Sequence, residues 1–380
     1  MEIDNRSDLL VLNCGGTASQ FRDDTNYALH RMDVSEIIES VHKDIRSDRI
    51  IEGSTLWPGI NSSNISSREH IQPLAARLAD ARANFRAAVI VMGTNTAPHV
   101  GSALTFALRG LDIPVVITSG QRHHGREGSD SDRNINDAFK FALTGADNNA
   151  RGIFVYSGSH AQTLLRAAGT IKMGDNVYEI FDSPCMDPVA YITPHQIDFD
   201  PSIRTSNTEE PFNLLNDFTT EGIIPLGIIP DLDPYFVDSA AGFDGCRAII
   251  LETYETGNVP DALLPPIQRA VRRGIRVVAV PTFAERNLTY LIPPEEQNIY
   301  NKIGGDIESG FAAPGNMTRP ALSAKIGFWL SYHQKLGLED LGHFLDKNYA
   351  GEIPQRRFDS VDTLAAIKER RLRKAIQSIS

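Results

Sequence analysis

Polar residues that could do chemistry follow the first apolar segment of the chain. Gly15 and Gly16 come after the apolar run Leu9–Asn13, and Thr17 follows them directly. Two glycines allow a tight turn and a close approach of backbone N–H groups to a ligand. A threonine hydroxyl beside such amides suits a nucleophile next to an oxyanion hole. An ordinary turn at the end of a strand is the alternative interpretation of this segment taken alone.

The same placement recurs after a second apolar segment. Gly93 and Thr94 begin a polar run directly after Ala87–Met92. In open α/β sheets, ligands bind outside the carboxyl ends of the strands, so both polar runs are candidate site loops. Thr17 and Thr94 could act together only if their strands adjoin, which the spacing along the sequence does not determine.

The apolar segments indicate an α/β fold. They are near-continuous β-branched runs, typical of parallel strands covered on both faces, and helical patterns separate them. This alternation predicts a larger N-terminal domain with a mostly parallel sheet flanked by helices, followed by a smaller C-terminal α/β domain. The predicted strands are Leu9–Asn13, Ala87–Met92, Pro114–Ser119 and Gly152–Ser157 in the larger domain, and Gly222–Ile229, Cys246–Tyr254 and Arg276–Thr282 in the smaller one.

The domain bounds follow from these zones and from a polar stretch between them. The predicted catalytic α/β domain spans residues 1–205, a linker spans 206–221, and the smaller α/β domain spans 222–355. Residues 356–380 are predicted to form a charged helical tail. Its basic run could contact a partner subunit, although a solvated helix face is the favoured interpretation.

Composition excludes several classes of protein. The 380 residues include 37 basic and 48 acidic side chains, a formal charge of -11, which argues against a nucleic-acid binder. No apolar run is long enough to span a membrane, and the N-terminus lacks the pattern of a secretory signal. Three cysteines without CxxC spacing argue against a disulfide scaffold and a cysteine zinc site. We therefore expect a cytoplasmic protein with no membrane association.

Neither a metal nor a cofactor is expected. The chain lacks the phosphate-binding and dinucleotide-binding glycine patterns and the HExxH zinc motif. His123 and His124 lie in a polar run without further ligands at metal-binding spacing. His99, three residues after Thr96, could reach a pocket or pack at the start of a helix.

Eight motifs occur in an order and spacing that resemble the bacterial-type L-asparaginases, particularly the cytoplasmic type I branch. The resemblance extends from about residue 9 to residue 353, more than nine-tenths of the chain, so it implies a two-domain asparaginase-like fold. The motifs are GGTA (Gly15–Ala18), NSSN (Asn61–Asn64), GTNT (Gly93–Thr96), SGQ (Ser119–Gln121), SDSDRNINDA (Ser129–Ala138), GTIKMGDNVYEIFDSP (Gly169–Pro184), YETGNVP (Tyr254–Pro260) and APGNMTRPALSAK (Ala313–Lys325).

The resemblance implies a catalytic set by position. Thr17 would attack the side-chain amide of asparagine or a related amide, giving an acyl-enzyme and ammonia, with Tyr27 assisting. Thr94 and Lys172 would activate water or relay protons. Asn95, which follows Thr94, is the fifth residue of the predicted catalytic set. Cys14 is expected to be a small packed residue rather than the nucleophile.

The resemblance also implies how a small-molecule amide substrate is held. Hydroxyls and backbone N–H groups can donate hydrogen bonds to a substrate carboxylate. One contact comes from a neighbouring subunit, so a homodimer or homotetramer is implied. The predicted substrate contacts are Gly16, Ser62, Ser63, Gly93, Thr94 and Asn95, with Asn258 supplied by the neighbouring chain.

One residue differs from the family motif. Asn95 stands where the motif normally has Asp, so the site keeps an acceptor oxygen and loses a negative charge. A unit charge at about 4 Å is worth up to roughly 4 kcal/mol at an effective dielectric near 20. Two hypotheses follow: an amidohydrolase whose substrate lacks a free α-ammonium, such as an asparagine derivative, or a binding or regulatory module with weak or lost hydrolysis.

Two further differences bear on function. Residues 282–312 lack the cysteine motif of type I enzymes, so regulation by asparagine is not expected. A glutaminase-type subunit of a tRNA-dependent amidotransferase is the rival class. Such subunits carry an extra domain before the GGT motif, and only 14 residues precede Gly15 here, which disfavours that class.

Overall fold

A computed structural model describes residues 5–22, 28–158, 162–174, 178–183, 186–193, 196–204, 211–254, 257–281, 311–312, 317–338 and 340–353. The described residues up to Asn216 form one compact unit, and those from Asp217 onward form a second. Residues 213–214 pair with a strand of the first unit. The domain bounds drawn from the sequence stay predictions.

The first unit is built on one large sheet. Eight of its described strands lie in the order β13-β12-β9-β8-β7-β5-β1-β4. Three two-stranded pairs accompany them: β2 with β3, β6 with β14, and β10 with β11. The strands are β1 Leu9–Asn13, β2 Gln20–Arg22, β3 Leu29–Arg31, β4 Ile51–Thr55, β5 Ala88–Val91, β6 Leu108–Arg109, β7 Pro114–Thr118, β8 Gly152–Ser157, β9 Gln162–Arg166, β10 Ile171–Lys172, β11 Phe181–Asp182, β12 Ala190–Ile192, β13 Ile197–Phe199 and β14 Asn213–Leu214.

The order of the parallel strands places a switch point at β1. Strands β4, β1, β5, β7 and β8 run parallel to one another, whereas the pairs β8–β9, β9–β12 and β12–β13 are antiparallel. From β1 the chain first adds β4 on one side and then crosses to add β5 on the other. The crevice beyond the carboxyl ends of β1 and β5 is therefore the expected ligand position of such a sheet.

Helices cover the sheet and bury its parallel strands. Every residue of β1, β5, β7 and β8 is buried, as expected for strands packed on both faces. The helix α5 packs against β7, and its apolar side chains join the core on that face. The helices of this unit are α1 Val34–Ser40, α2 Lys43–Arg46, α3 Gln72–Ala81, α4 Ala97–Ala107 and α5 Ser131–Asp147.

The second unit is a smaller α/β unit with four described parallel strands in the order β15-β16-β17-β18. Its helices α6 and α7 pack on a separate apolar core. The elements are β15 Ile223–Gly227, β16 Ala248–Thr253, β17 Arg276–Pro281, β18 Phe311–Ala312, α6 Tyr235–Gly242, α7 Leu264–Arg272, α8 Arg319–Leu336 and α9 Leu341–Asp346.

The predicted fold class is confirmed: each unit is α/β, and the large sheet is mostly parallel. The edge strand β4 was not predicted, because its partly exposed residues include Gly53 and lack a continuous apolar run. Within the part of the chain that the structure describes, no helix has the length and apolar character needed to cross a membrane.

Candidate active site

The two glycine-containing loops meet at the switch point. A Cβ on Gly16 would lie 2.4 Å from the backbone nitrogen of Gly93, so only hydrogen fits between the two loops. Gly16 also has φ of 91°, a conformation that side chains other than glycine rarely adopt. Because β1 and β5 are direct neighbours, the residues after these glycines, Thr17 and Thr94, belong to loops in contact.

A third loop lies on the other side of Gly93. A Cβ on Gly93 would lie 1.9 Å from Ser62 Oγ. Thr96 Oγ1 donates a hydrogen bond of 3.0 Å to the Ser62 carbonyl. The side chain of Asn61 accepts from the backbone N–H of Ser63 at 3.0 Å, which fixes the short helical turn that begins there. Gly93 is therefore enclosed between the Gly16 turn and the Ser62 turn.

Asn13 fixes the start of the first loop. Its Oδ1 accepts from the Gly15 N–H at 3.0 Å, and its Nδ2 donates to the Met32 carbonyl at 2.9 Å. Cys14 is fully buried, and burial raises the pKa of its thiol to about 12. Cys14 is thus a packed neutral thiol, consistent with its expected role.

Lys172 and Asn95 are in direct contact. Lys172 lies in β10 and donates from Nζ to Asn95 Oδ1 at 2.7 Å. The amide nitrogen of Asn95 lies 3.4 Å from Ser63 Oγ. The Asn95 amide therefore lies between the Lys172 ammonium and the Ser63 hydroxyl and contacts both.

The segments that carry Asn95 and Lys172 pack closely against each other and against the loop after β7. A Cβ on Gly101 of α4 would lie 2.8 Å from the Ala167 side chain, so α4 and the turn before β10 touch. The hydroxyl of Ser102 donates to the Ala167 carbonyl at 3.3 Å. Gln121 donates from Nε2 to the Gly174 carbonyl at 3.2 Å, just beyond Lys172.

The loop after β7 is anchored to α5 by one carboxylate. The oxygens of Asp130 accept from the backbone N–H groups of Gln121 and Arg122 at 2.9 to 3.0 Å. Asn134 Nδ2 bonds both Asp130 Oδ2 and the Ser119 carbonyl. Asp130 and Asn134 thus stabilise the loop from the start of α5.

His124 is a residue at this site to which the sequence assigned no role. It is buried, and its Nε2 lies 2.7 Å from the Ala18 carbonyl while Nδ1 lies 2.7 Å from Asp132 Oδ1. A carbonyl and a carboxylate both accept hydrogen bonds, so each ring nitrogen of His124 faces an acceptor. The pKa of Asp132 is lowered, chiefly by its hydrogen bond with His124. This pair ties the residue after Thr17 to α5.

His123 precedes His124 in the same loop. Its ring lies beside the backbone of Thr17, and its pKa is lowered mainly because part of the ring is removed from water. Adjacent histidines therefore contact the backbone of adjacent residues, Thr17 and Ala18. The sequence showed the pair His123–His124 only as histidines without further metal ligands nearby, and nothing in it indicated this contact.

The remaining predicted residues are placed as follows. Asn258 lies in the second unit, after β16, and Tyr27 lies outside the described residues. His99 is exposed in the first turn of α4. The segment 282–312, apart from its last two residues, and the tail 356–380 also lie outside them. Across the described ranges, no cluster of three His, Cys, Asp or Glu side chains could hold a metal ion.

A cleft of about 180 Å³ adjoins the Gly15–Gly16 turn, and Gly93 does not line it. Trp57 and Ile60 contribute to its wall, together with Ser19. None of Thr17, Thr94, Asn95 or Lys172 lines it, so this cleft lies beside the predicted chemistry and not at it.

Comparison with known proteins identifies the family. Residues 8–204 match the family described as Asparaginase, N-terminal. The matched region is more than half of the chain and includes all three loops of the site. The chain belongs to the asparaginase family.

Individual relatives and structures agree with this assignment. The chain is 24% identical over 366 residues to a subunit of the glutamyl-tRNA(Gln) amidotransferase of Methanobrevibacter smithii, covering 93% of this chain and 78% of that protein. It is 25% identical over 354 residues to an L-asparaginase of Thermococcus kodakarensis, covering 91% and 98%. The crystal structure of L-asparaginase I from Vibrio cholerae superposes with a TM-score of 0.74 at 20% identity, covering 92% of this chain and 99% of the other, which supports the fold.

Proposed function

We propose that the protein is an amidohydrolase that releases ammonia from the side-chain amide of L-asparagine or a related small amide, with Thr17 as nucleophile. The observation that carries the proposal is the contact between the Gly16 and Gly93 loops at the switch point. Thr17 and Thr94 each follow one glycine of that contact. Lys172 supplies a cation to the next residue, Asn95.

The proposed reaction has two steps. Thr17 Oγ attacks the carbonyl carbon of the amide; a C–O bond forms, the C–N bond breaks, and the hydroxyl proton leaves with the nitrogen as ammonia. A water then attacks the acyl carbon, its proton returns to the Thr17 oxygen, and the carboxylic acid leaves. Thr94 and Lys172 would orient this water and relay its proton. Tyr27 is proposed to assist the first step.

Substrate binding is proposed to use the turns on either side of Gly93. The backbone of Gly16 and Gly93 would face the reacting amide, and the hydroxyls of Ser62 and Ser63 would bind a carboxylate. Asn258 would act at the site of a neighbouring subunit, so the proposal includes a homo-oligomer. A cytoplasmic location remains a prediction from the sequence.

The test is ammonia release from L-asparagine, L-glutamine and their N-substituted analogues. We expect the wild type to release ammonia from at least one of them, and Thr17→Ala to lose at least about 10³-fold in rate. Thr144→Ala, at the far end of α5, is the matched control and should keep the wild-type rate. Ammonia release by Thr17→Ala at the wild-type rate would overturn the assigned nucleophile. Binding without turnover of any amide would instead support a ligand-binding or regulatory module.

A second candidate function is supported by the similarity to an amidotransferase component. That relative matches over 93% of this chain. In this case the protein would supply ammonia to a partner chain, and rapid amide hydrolysis would require that partner. Ammonia release by the purified protein alone at a substantial rate would favour the independent amidohydrolase.

A further inference from the structure

The contacts of Asn95 determine which of its two amide atoms faces which neighbour. The Lys172 ammonium lies 2.7 Å from one of them and has three donors and no acceptor. The atom facing it is therefore the carbonyl oxygen, Oδ1. The amide nitrogen must then face the other way, toward Ser63.

The exposed end of Asn95 is thus a hydrogen-bond donor. Its Nδ2 lies 3.4 Å from Ser63 Oγ, at the long end for an N–H···O hydrogen bond. Both side chains are exposed, so each can contact a ligand. A group held by the Ser63 hydroxyl therefore lies within reach of the Asn95 N–H.

This geometry discriminates between substituents on the ligand. With a carboxylate at Ser63, the substituent on the adjacent carbon is the group that meets Asn95. An ammonium at that position would set its N–H donors against the Asn95 N–H, close to the Lys172 cation. A hydroxyl or an acylamino group would offer an oxygen that accepts from Asn95.

We propose that the site is specific for half-amides of four-carbon dicarboxylic acids that carry an oxygen acceptor, not a free ammonium, on the carbon beside the carboxylate. The smallest such compound is 2-hydroxysuccinamate, and N-acetyl-L-asparagine is a larger one. This inference rests on the proposed function and names the substrate class of the same site. Asn95 is its specificity-determining residue.

The experiment compares kcat/KM for ammonia release from 2-hydroxysuccinamate, N-acetyl-L-asparagine, succinamate and L-asparagine. The proteins are the wild type, Asn95→Asp and the control Asn84→Asp. The control makes the same chemical change at an exposed residue, which is hydrogen-bonded to Ser7 before the amino ends of β1 and β5, whereas Asn95 follows the carboxyl end of β5. We expect the wild type to favour at least one acceptor-bearing amide over L-asparagine by about tenfold or more. Asn95→Asp should shift that ratio toward L-asparagine by a similar factor, and the control should leave it unchanged.

The outcomes separate the inference from the proposed function. A wild type that hydrolyses L-asparagine best, or a ratio that Asn95→Asp does not move, overturns the inference and leaves the amidohydrolase standing. If no compound is hydrolysed, the proposed function fails, and calorimetric titration with the same four compounds decides the inference. Tighter binding of 2-hydroxysuccinamate or N-acetyl-L-asparagine than of L-asparagine supports it. Tighter binding of L-asparagine, or no binding of any compound, overturns it.

Discussion

Gly16 and Gly93 touch backbone to backbone: a Cβ on Gly16 would lie 2.4 Å from the Gly93 nitrogen. This contact joins the loops that follow two adjacent parallel strands, β1 and β5. Thr17 directly follows Gly16 and Thr94 directly follows Gly93, so the contact brings the two candidate threonines into neighbouring loops. Any atom added between the loops must move one of them.

Gly16→Ala is therefore predicted to impair turnover strongly. The added methyl group collides with the Gly93 backbone, and the backbone angle of Gly16 is itself unfavourable for alanine. We expect a loss of about 10²-fold in kcat/KM, because a displacement of about 1 Å can cost that much. The measurement is ammonia release from the best substrate. Gly242→Ala is the matched control, since nothing lies within 4 Å of a Cβ there. Equal rates for both variants would contradict the role of the close contact.

The His124–Asp132 pair predicts a pH-dependent stability difference. The pKa of Asp132 is lowered in the fold, so its ionised form stabilises the protein fully above the unfolded pKa, about 3.9. That stabilisation disappears as the pH falls through the lower folded pKa. Asp132→Asn should reduce Tm near pH 6, and the difference from the wild type should shrink below about pH 4.

The size of that difference is modest because the Asp132 carboxylate is about half exposed (54%). We expect about 1 kcal/mol or less near pH 6. The measurement is Tm by thermal unfolding of the wild type, Asp132→Asn and Asp80→Asn between about pH 2 and pH 6. Asp80 is exposed on α3 and serves as the control. A difference that stays constant down to pH 2 would contradict the lowered pKa of Asp132.

Cys14 is predicted to be chemically silent in the folded protein. With its pKa raised to about 12, almost none of the thiol is ionised at pH 8, and the side chain is fully buried. The thiolate is the reactive form, so alkylation by iodoacetamide should modify Cys14 only after unfolding. Peptide mapping by mass spectrometry checks this. Cys246, which is partly exposed, provides the comparison within the same molecule. Labelling of Cys14 as fast as Cys246 would show that the loop opens to reagent.

The second unit contains a buried ion pair whose disruption is predicted to be costly. Lys325 on α8 lies 2.6 Å from Glu352, and both side chains are fully buried. Lys325 Nζ also donates to the Leu345 carbonyl at 2.9 Å. Removing Lys325 leaves the Glu352 carboxylate buried without a counter-ion among the described residues. Its donors in the described part of the chain are then only the N–H groups of Tyr349 and Ala350, and the loss costs roughly 3–5 kcal/mol.

Urea unfolding of Lys325→Met should show this loss of stability. Lys335→Met is the control: Lys335 lies on the same helix, and its ion pair with Asp217 is exposed, with side-chain exposures of 61% and 69%. We expect that control to change stability by less than about 1 kcal/mol. Similar effects of the two substitutions would contradict the proposed cost of breaking the buried pair.

The sequence predicted the strands that bring the loops together, because a fully buried parallel strand is a continuous apolar run. The bounds of β1 and β8 match the predicted segments, Leu9–Asn13 and Gly152–Ser157. The adjacency of β1 and β5 could not be predicted from spacing, since about 75 residues and the edge strand β4 separate them along the chain.

The details of the site depend on contacts that a sequence pattern does not encode. The resemblance to a family assigned Lys172 and Asn95, but the orientation of the Asn95 amide follows only from its distance to the ammonium. The pairing of His124 with Asp132 and Ala18 depends on a tertiary contact across 106 residues. Two adjacent histidines in the sequence do not indicate a contact with the backbone of Ala18.

The central claim is that Thr17 is the nucleophile of an amide-hydrolysing site. Its most direct test is mass spectrometry of Lys172→Met, quenched in acid during turnover of the best substrate found for the wild type. Because Lys172 is proposed to relay the proton of the attacking water, the acyl-enzyme should accumulate in this variant. We expect an added acyl mass on the peptide that contains Thr17, and none in the double variant Lys172→Met/Thr17→Ala. An acyl group on any other residue, or an adduct that persists in the double variant, would contradict the claim.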